Sequence, residues 1–200
     1  MKKTLTCIIS VVVALSVLIA IAAVPASAAV SAPASSAPLS AMTVTGANKD
    51  IYLRIDGIEG ESKNASHDKW IDIIYFKHGA ANSGQTGNGE FEPVVFKHLV
   101  DKATPKLQEA CMKGNNITTA QVDFCRAIAG KQSVVYSVKL EDIKVIKAEV
   151  EVVELEDGNY QLVETVELLV NKQTWTAIMI GLDNTQSGSV EAGFDQTKKS

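Results

Sequence analysis

Cysteine is scarce. The 200 residues hold three, Cys7, Cys111 and Cys125, and no two stand in a C-x-x-C pair. That excludes disulfide-dense small folds and the usual thiolate zinc and redox motifs. Thirteen glycines are too few for a collagen-like repeat. No G-x-S-x-G, H-E-x-x-H or P-loop occurs, so the signatures of acyl transfer, zinc hydrolysis and phosphate cradling are missing. His67, His78 and His98 are scattered, and none shares a helix face with another at i, i+4. His67 beside Asp68 reads as a surface-loop histidine. Asp56, Glu59 and Glu61 lack the spacing of a calcium loop and read as a solvated acidic turn. The sequence therefore predicts no enzyme, no cofactor and no metal site.

Positive charge is also sparse and unclustered. Lys and Arg number 19 against 23 Asp and Glu, a net charge of -4. Lys2 and Lys3 begin the chain, and no charged residue follows until Lys49. Without those two lysines the remainder has 17 basic and 23 acidic residues, or -6. A chain with no basic stripe does not neutralise phosphates, which excludes nucleic acid as a partner.

What is present falls into three parts. Residues 1–28 read as a secretory signal peptide: Lys2-Lys3, an apolar run from Cys7 to Val24, then Ala26-Ser27-Ala28 after Pro25. Cleavage after Ala28 predicts a secreted or periplasmic protein with no stable membrane anchor. Translation from Met42 would instead give a cytoplasmic one. Residues 29–48, rich in Ala, Ser and Pro, read as a flexible linker, and residues 49–200 as the folded domain.

The domain is patterned mostly in period two. Ile51, Leu53 and Ile55 alternate with polar neighbours, as a half-buried strand requires. Residues 70–76 carry apolar side chains on both faces, broken only by Asp72. Both faces of such a strand need cover, which points to Trp70, Ile74 and Phe76 as a subunit interface. A Gly-rich loop is expected over 79–89, and a strand over 91–98. One helix of about nine residues follows, with Thr104 as N-cap, Pro105 at its first position and Gly114 at its end. Strands then resume through 120–124, 134–140 and 143–155. Asp157-Gly158-Asn159 marks a hairpin, and further strands cover 161–170, 173–181 and 190–194. Roughly eight or nine short strands and one helix predict an all-β antiparallel barrel of two packed sheets. Cys111 on the helix and Cys125 on the next strand are open to either reading, free thiols or a disulfide.

The run from Ile51 to Ser62, followed by His67-Asp-Lys-Trp-Ile71, resembles the Hcp (haemolysin-coregulated protein) family. So do Val100-Asp-Lys-Ala-Thr-Pro-Lys-Leu107, Glu109-Ala-Cys111, Phe124-Cys-Arg-Ala127, Glu164-Thr-Val-Glu-Leu168 and Gly193-Phe-Asp195. The resemblance covers about residues 50–196. It implies a β-barrel protomer with one helix, a homo-oligomer of hexameric rings that stack into the type VI secretion tube, and effector proteins held in the lumen. Two features depart from the family pattern: the signal peptide, and Phe194 in the place of a usual tryptophan. A Sec-exported monomeric barrel that binds a small protein or glycan is the alternative.

Overall fold

The computed structural model describes residues 50–82, 84 and 89–198. The signal peptide, the linker and the Met42 start lie outside the described residues. Within them the order is β1 (Ile51–Ile55), β2 (Ile71–Ala81), β3 (Glu90–Leu99), α1 (Thr104–Lys113), β4 (Asn116–Ile128), β5 (Lys131–Glu154), β6 (Tyr160–Ile180) and β7 (Gln186–Asp195).

All strand pairs are antiparallel and form one hydrogen-bonded sheet in the order β3-β2-β1-β4-β5-β6-β7. A further pairing of β3 with β6, from Val94 opposite Leu168 to Leu99 opposite Val163, closes six strands into a barrel. Closure removes the exposed edges that an open sheet would present. The interior is the expected alternation: Leu53, Ile73, Phe96, Val122, Val138, Leu140, Val166 and Leu168 are all buried. α1 covers one side with Leu107 and Ala110, and Ala103 just before it is buried too.

The strand count among the described residues is seven, fewer than the sequence suggested, because two pairs of expected strands are continuous. β5 runs 24 residues and β6 runs 21. The sequence suggests breaks at Glu141-Asp142 and Asn171-Lys172, where polar residues cluster. There the chain turns a corner without ending: Asp142 takes φ +54°, and its carboxylate accepts the amides of Asn116 at 3.2 Å and Asn171 at 2.6 Å. Each long strand thus serves the barrel along one stretch and a protruding hairpin along another.

Local signals explain the ends of elements. Ala129-Gly130, both at positive φ, make the two-residue turn between β4 and β5, the geometry that matches strand twist. Gly114 closes α1 at φ +63°, with its N–H donating to Ala110 and Cys111 carbonyls. The other end of α1 differs from expectation. Thr104 is the first helical residue, and the position before it is Ala103. No side chain caps the first turn; the Asp101 carboxylate accepts the Ala103 N–H at 2.8 Å just ahead of it.

Candidate assembly surface

Two buried histidine–carboxylate pairs fix the framework. His67, expected on the surface, is only 4% exposed. Its Nε2 meets Asp123 Oδ2 at 3.1 Å, and its Nδ1 meets Asn64 Oδ1 at 3.2 Å. Both ring nitrogens thus face side-chain oxygens. Asp123 Oδ1 accepts from Gln121 at 2.9 Å and Ser137 at 2.7 Å. Asn64 in turn donates to Tyr52 and Gln132, and Tyr52 stacks on the imidazole at 4.3 Å. The network pins the 56–70 loop onto β1, β4 and β5. Gly60 belongs to the same lock, since a Cβ there would strike the backbone of Trp70 and Ile71.

The second pair is less complete. His98 on β3 and Glu164 on β6 are both 0% exposed, and they stand opposite one another in the barrel seam. His98 Nε2 and Glu164 Oε2 are 2.8 Å apart, while His98 Nδ1 and Glu164 Oε1 have no hydrogen-bond partner. Both positions were legible: His98 continues the inward series Val94, Phe96, and Glu164 that of Val170, Leu168, Val166.

Trp70, Ile74 and Phe76 occupy different settings, each half-buried. Trp70 ends the loop, with His67 edge-on at 4.7 Å and the Arg54 guanidinium over its ring at 5.2 Å. Ile74 is the extra residue of a bulge between Ile73, opposite His98, and Tyr75, opposite Lys97. The bulge shifts the alternation by one residue. Phe76 consequently lies opposite Phe96 and packs on the core, 5.5 Å from the Phe124 ring. Part of the two-faced apolar pattern therefore comes from the bulge.

The larger uncovered surfaces lie on two hairpins. Beyond the barrel, β5 and β6 continue to the turn at 155–159. Register places Ala148, Val150 and Val152 on one face with Val166, Leu162 and Tyr160. Val166 and Ala148 pack in the barrel, but Val150, Val152, Leu162 and Tyr160 are exposed. The inner face thus runs out of the barrel into solvent. On the second hairpin, Trp175, Ala177 and Met179 of β6 share a face with Val190, Ala192 and Phe194 of β7. Met179, Val190 and Phe194 are exposed, and Phe91 packs edge-on against Trp175 and Phe194. Among the described residues, the outer edge of β7 has no strand partner.

No cluster of three or more metal-ligating side chains occurs among the described residues. Within the acidic turn, Glu59 pairs with Lys69 at 3.4 Å and Lys102 at 3.0 Å. Cys111 and Cys125 are free thiols, and burial pushes Cys125 up to about 11.

A family model described as "Type VI secretion system effector, Hcp" matches residues 52–176. The chain belongs to the Hcp family. Hcp proteins are structural tube proteins of type VI secretion systems, and membership makes this chain a structural component, not an enzyme. A "Major exported protein" of Pseudomonas aeruginosa is 27% identical over 148 residues, covering 68% of this chain and 86% of that one. The crystal structure of a type VI secretion system effector from Yersinia pestis is similar at 25% identity and TM-score 0.61, over 73% of this chain and 99% of that one. A structure titled as a type six secretion system protein reaches TM-score 0.67 at 23% identity, over 74% and 96%, and bears on the fold alone.

Proposed function

We propose that the protein is the subunit of a homo-hexameric ring, that the rings stack into a tube, and that their lumen carries effector proteins. The Hcp family match over 52–176 carries this reading. The protomer's surface supports it. Among the described residues it leaves two unlike apolar faces uncovered, on the β5–β6 and β6–β7 hairpins, together with an open edge on β7. A contact between unlike patches is heterologous, and heterologous contacts that close by rotation make rings. Trp70 and Ile74 are assigned to the same contact, with Phe76 supporting them from the core.

Residues 1–28 act as a Sec leader in this proposal, so the ring forms after export to the periplasm or beyond. Two measurements test it. Negative-stain electron microscopy with mass in solution should show six-fold rings; folded monomers at high concentration would favour the exported binding barrel. Mass spectrometry of the native N-terminus should find Ala29, whereas Met42 would mean a cytoplasmic subunit.

A further inference from the structure

We propose that Gln196 is the positioning residue of the β6–β7 assembly face: it clamps the β2–β3 hairpin against that face, so that Phe91 and the face meet the neighbouring copy as one surface. The barrel seam shows where a clamp is needed. Direct pairing of β3 with β6 starts at Val94 opposite Leu168. The residue before Val94 is Pro93, which has no N–H to give. The β2–β3 register also slips nearby, between Lys77 and Gly79. Past Val94 the described ladder has no backbone rung between the hairpin and β6.

Gln196 supplies a rung from its side chain. It follows Asp195 at the end of β7, where its own N–H donates to the Asn171 carbonyl at 2.9 Å. Its Oε1 accepts the Phe91 N–H at 3.3 Å. Its Nε2 donates to the Val170 carbonyl at 3.2 Å and to Asn171 Oδ1 at 3.1 Å. The side-chain amide therefore stands between the two strands as a peptide unit would, accepting from β3 and donating to β6. Asn171 is itself fixed, because its Nδ2 donates to Asp142 at 2.6 Å. The ion pair of Lys77 with Glu92, at 3.5 Å, lies within the β2–β3 hairpin and does not tie it to β6.

Aromatic contacts carry the clamp to the assembly face. The Phe91 ring lies edge-on to Trp175 at 6.0 Å and to Phe194 at 5.9 Å. Those two rings belong to the face that also holds Met179 and Val190, and Phe194 is exposed on it. Holding Phe91 by its backbone thus holds the rings beside it. Side chains fixed before contact lose less freedom on association, so a clamped face binds more tightly than a loose one of the same composition.

The assembly role rests on the ring reading, whereas the clamp is a property of the protomer, and the test reads them apart. Gln196→Met keeps an unbranched side chain of similar length and removes its hydrogen bonds. In the full chain, the Phe91 amide should exchange with solvent roughly tenfold faster in this variant, with β1 and β4 unchanged. The concentration at which rings dissociate, read by mass in solution, should rise roughly tenfold while the urea midpoint stays in place. Phe91→Leu should weaken rings in the same way and add little to Gln196→Met, because both act through one contact. Unchanged Phe91 exchange overturns the clamp. Faster exchange with rings of undiminished strength overturns the assembly role, and so does a urea midpoint that falls in step with ring loss, which would mark Gln196 as a stabilising residue only. An unsubstituted protein that stays monomeric sinks the ring reading and the assembly role with it, and Phe91 exchange then decides the clamp by itself.

Discussion

The closed barrel and the two hairpins that leave it are made from the same strands, yet they finish their apolar faces differently. In the barrel, Val138, Leu140, Ile143, Val166 and Leu168 are buried. Farther along β5 and β6, the same side of the sheet carries Val150, Val152, Tyr160, Leu162 and Met179 in the open. Alternation that continues past the last covering element has no role within one protomer. Covering a large apolar side chain fully is worth roughly 1.5–3 kcal/mol, so each hairpin holds several kcal/mol in reserve for a partner, less the cost of association. The barrel's apolar face is used up in folding; the hairpins' is left for the contact between copies proposed above.

The sharpest way to break that contrast is substitution on each side of it. Phe96→Ala, at 0% exposure in the barrel, should lower stability by about 3–5 kcal/mol, read as a shift in the urea midpoint. Val152→Glu with Leu162→Glu should leave the midpoint within about 0.5 kcal/mol while abolishing six-fold rings. Asp123→Ala removes the partner of His67 and should cost about 1–3 kcal/mol, as leaving a buried polar group without its hydrogen bond does. An intermediate test lies on β2. Ile74→Asp should disperse rings and keep the fold, and Phe76→Asp should lose the fold, as circular dichroism and solution mass would show.

Much of the barrel was readable beforehand. Period two gave β1 from Ile51, Leu53 and Ile55, and Pro105 and Gly114 bracketed the helix. Val150, Val152, Tyr160 and Leu162 also alternate, but a single sequence does not say where the covering element stops. Polar residues at 141–142 and 171–172 imitated turns, because a carboxylate–amide corner inside a strand uses the same residue types as a loop. His67 looked superficial because its partners Asn64 and Asp123 come from different elements. Trp70, Ile74 and Phe76 read as one surface because a bulge has no signature of its own in the sequence.

Smaller effects sharpen the barrel side. Cys125 is raised from 9.0 to about 11, first by burial and then by Asp123 and Asp50. The thiol ionises later in the folded chain than in the unfolded one. Its contribution is therefore intact below 9.0 and is lost as pH rises through about 11. Half-exposed Cys111 should react with a thiol reagent near neutral pH while Cys125 stays protected until unfolding, a difference that peptide mass mapping resolves. Ala129, held at φ +50° in the β4–β5 turn, is the mildest test. Ala129→Gly should stabilise the barrel by up to about 1 kcal/mol without touching assembly.

On this proposal the uncovered hairpin faces exist to meet other copies of this chain. Negative-stain electron microscopy of the purified protein, with its mass in solution, tests that most directly. Six-fold rings that vanish in the Val152→Glu, Leu162→Glu variant, with an unchanged urea midpoint, are the predicted result. Stable monomers at high concentration, or rings indifferent to those two substitutions, would contradict it.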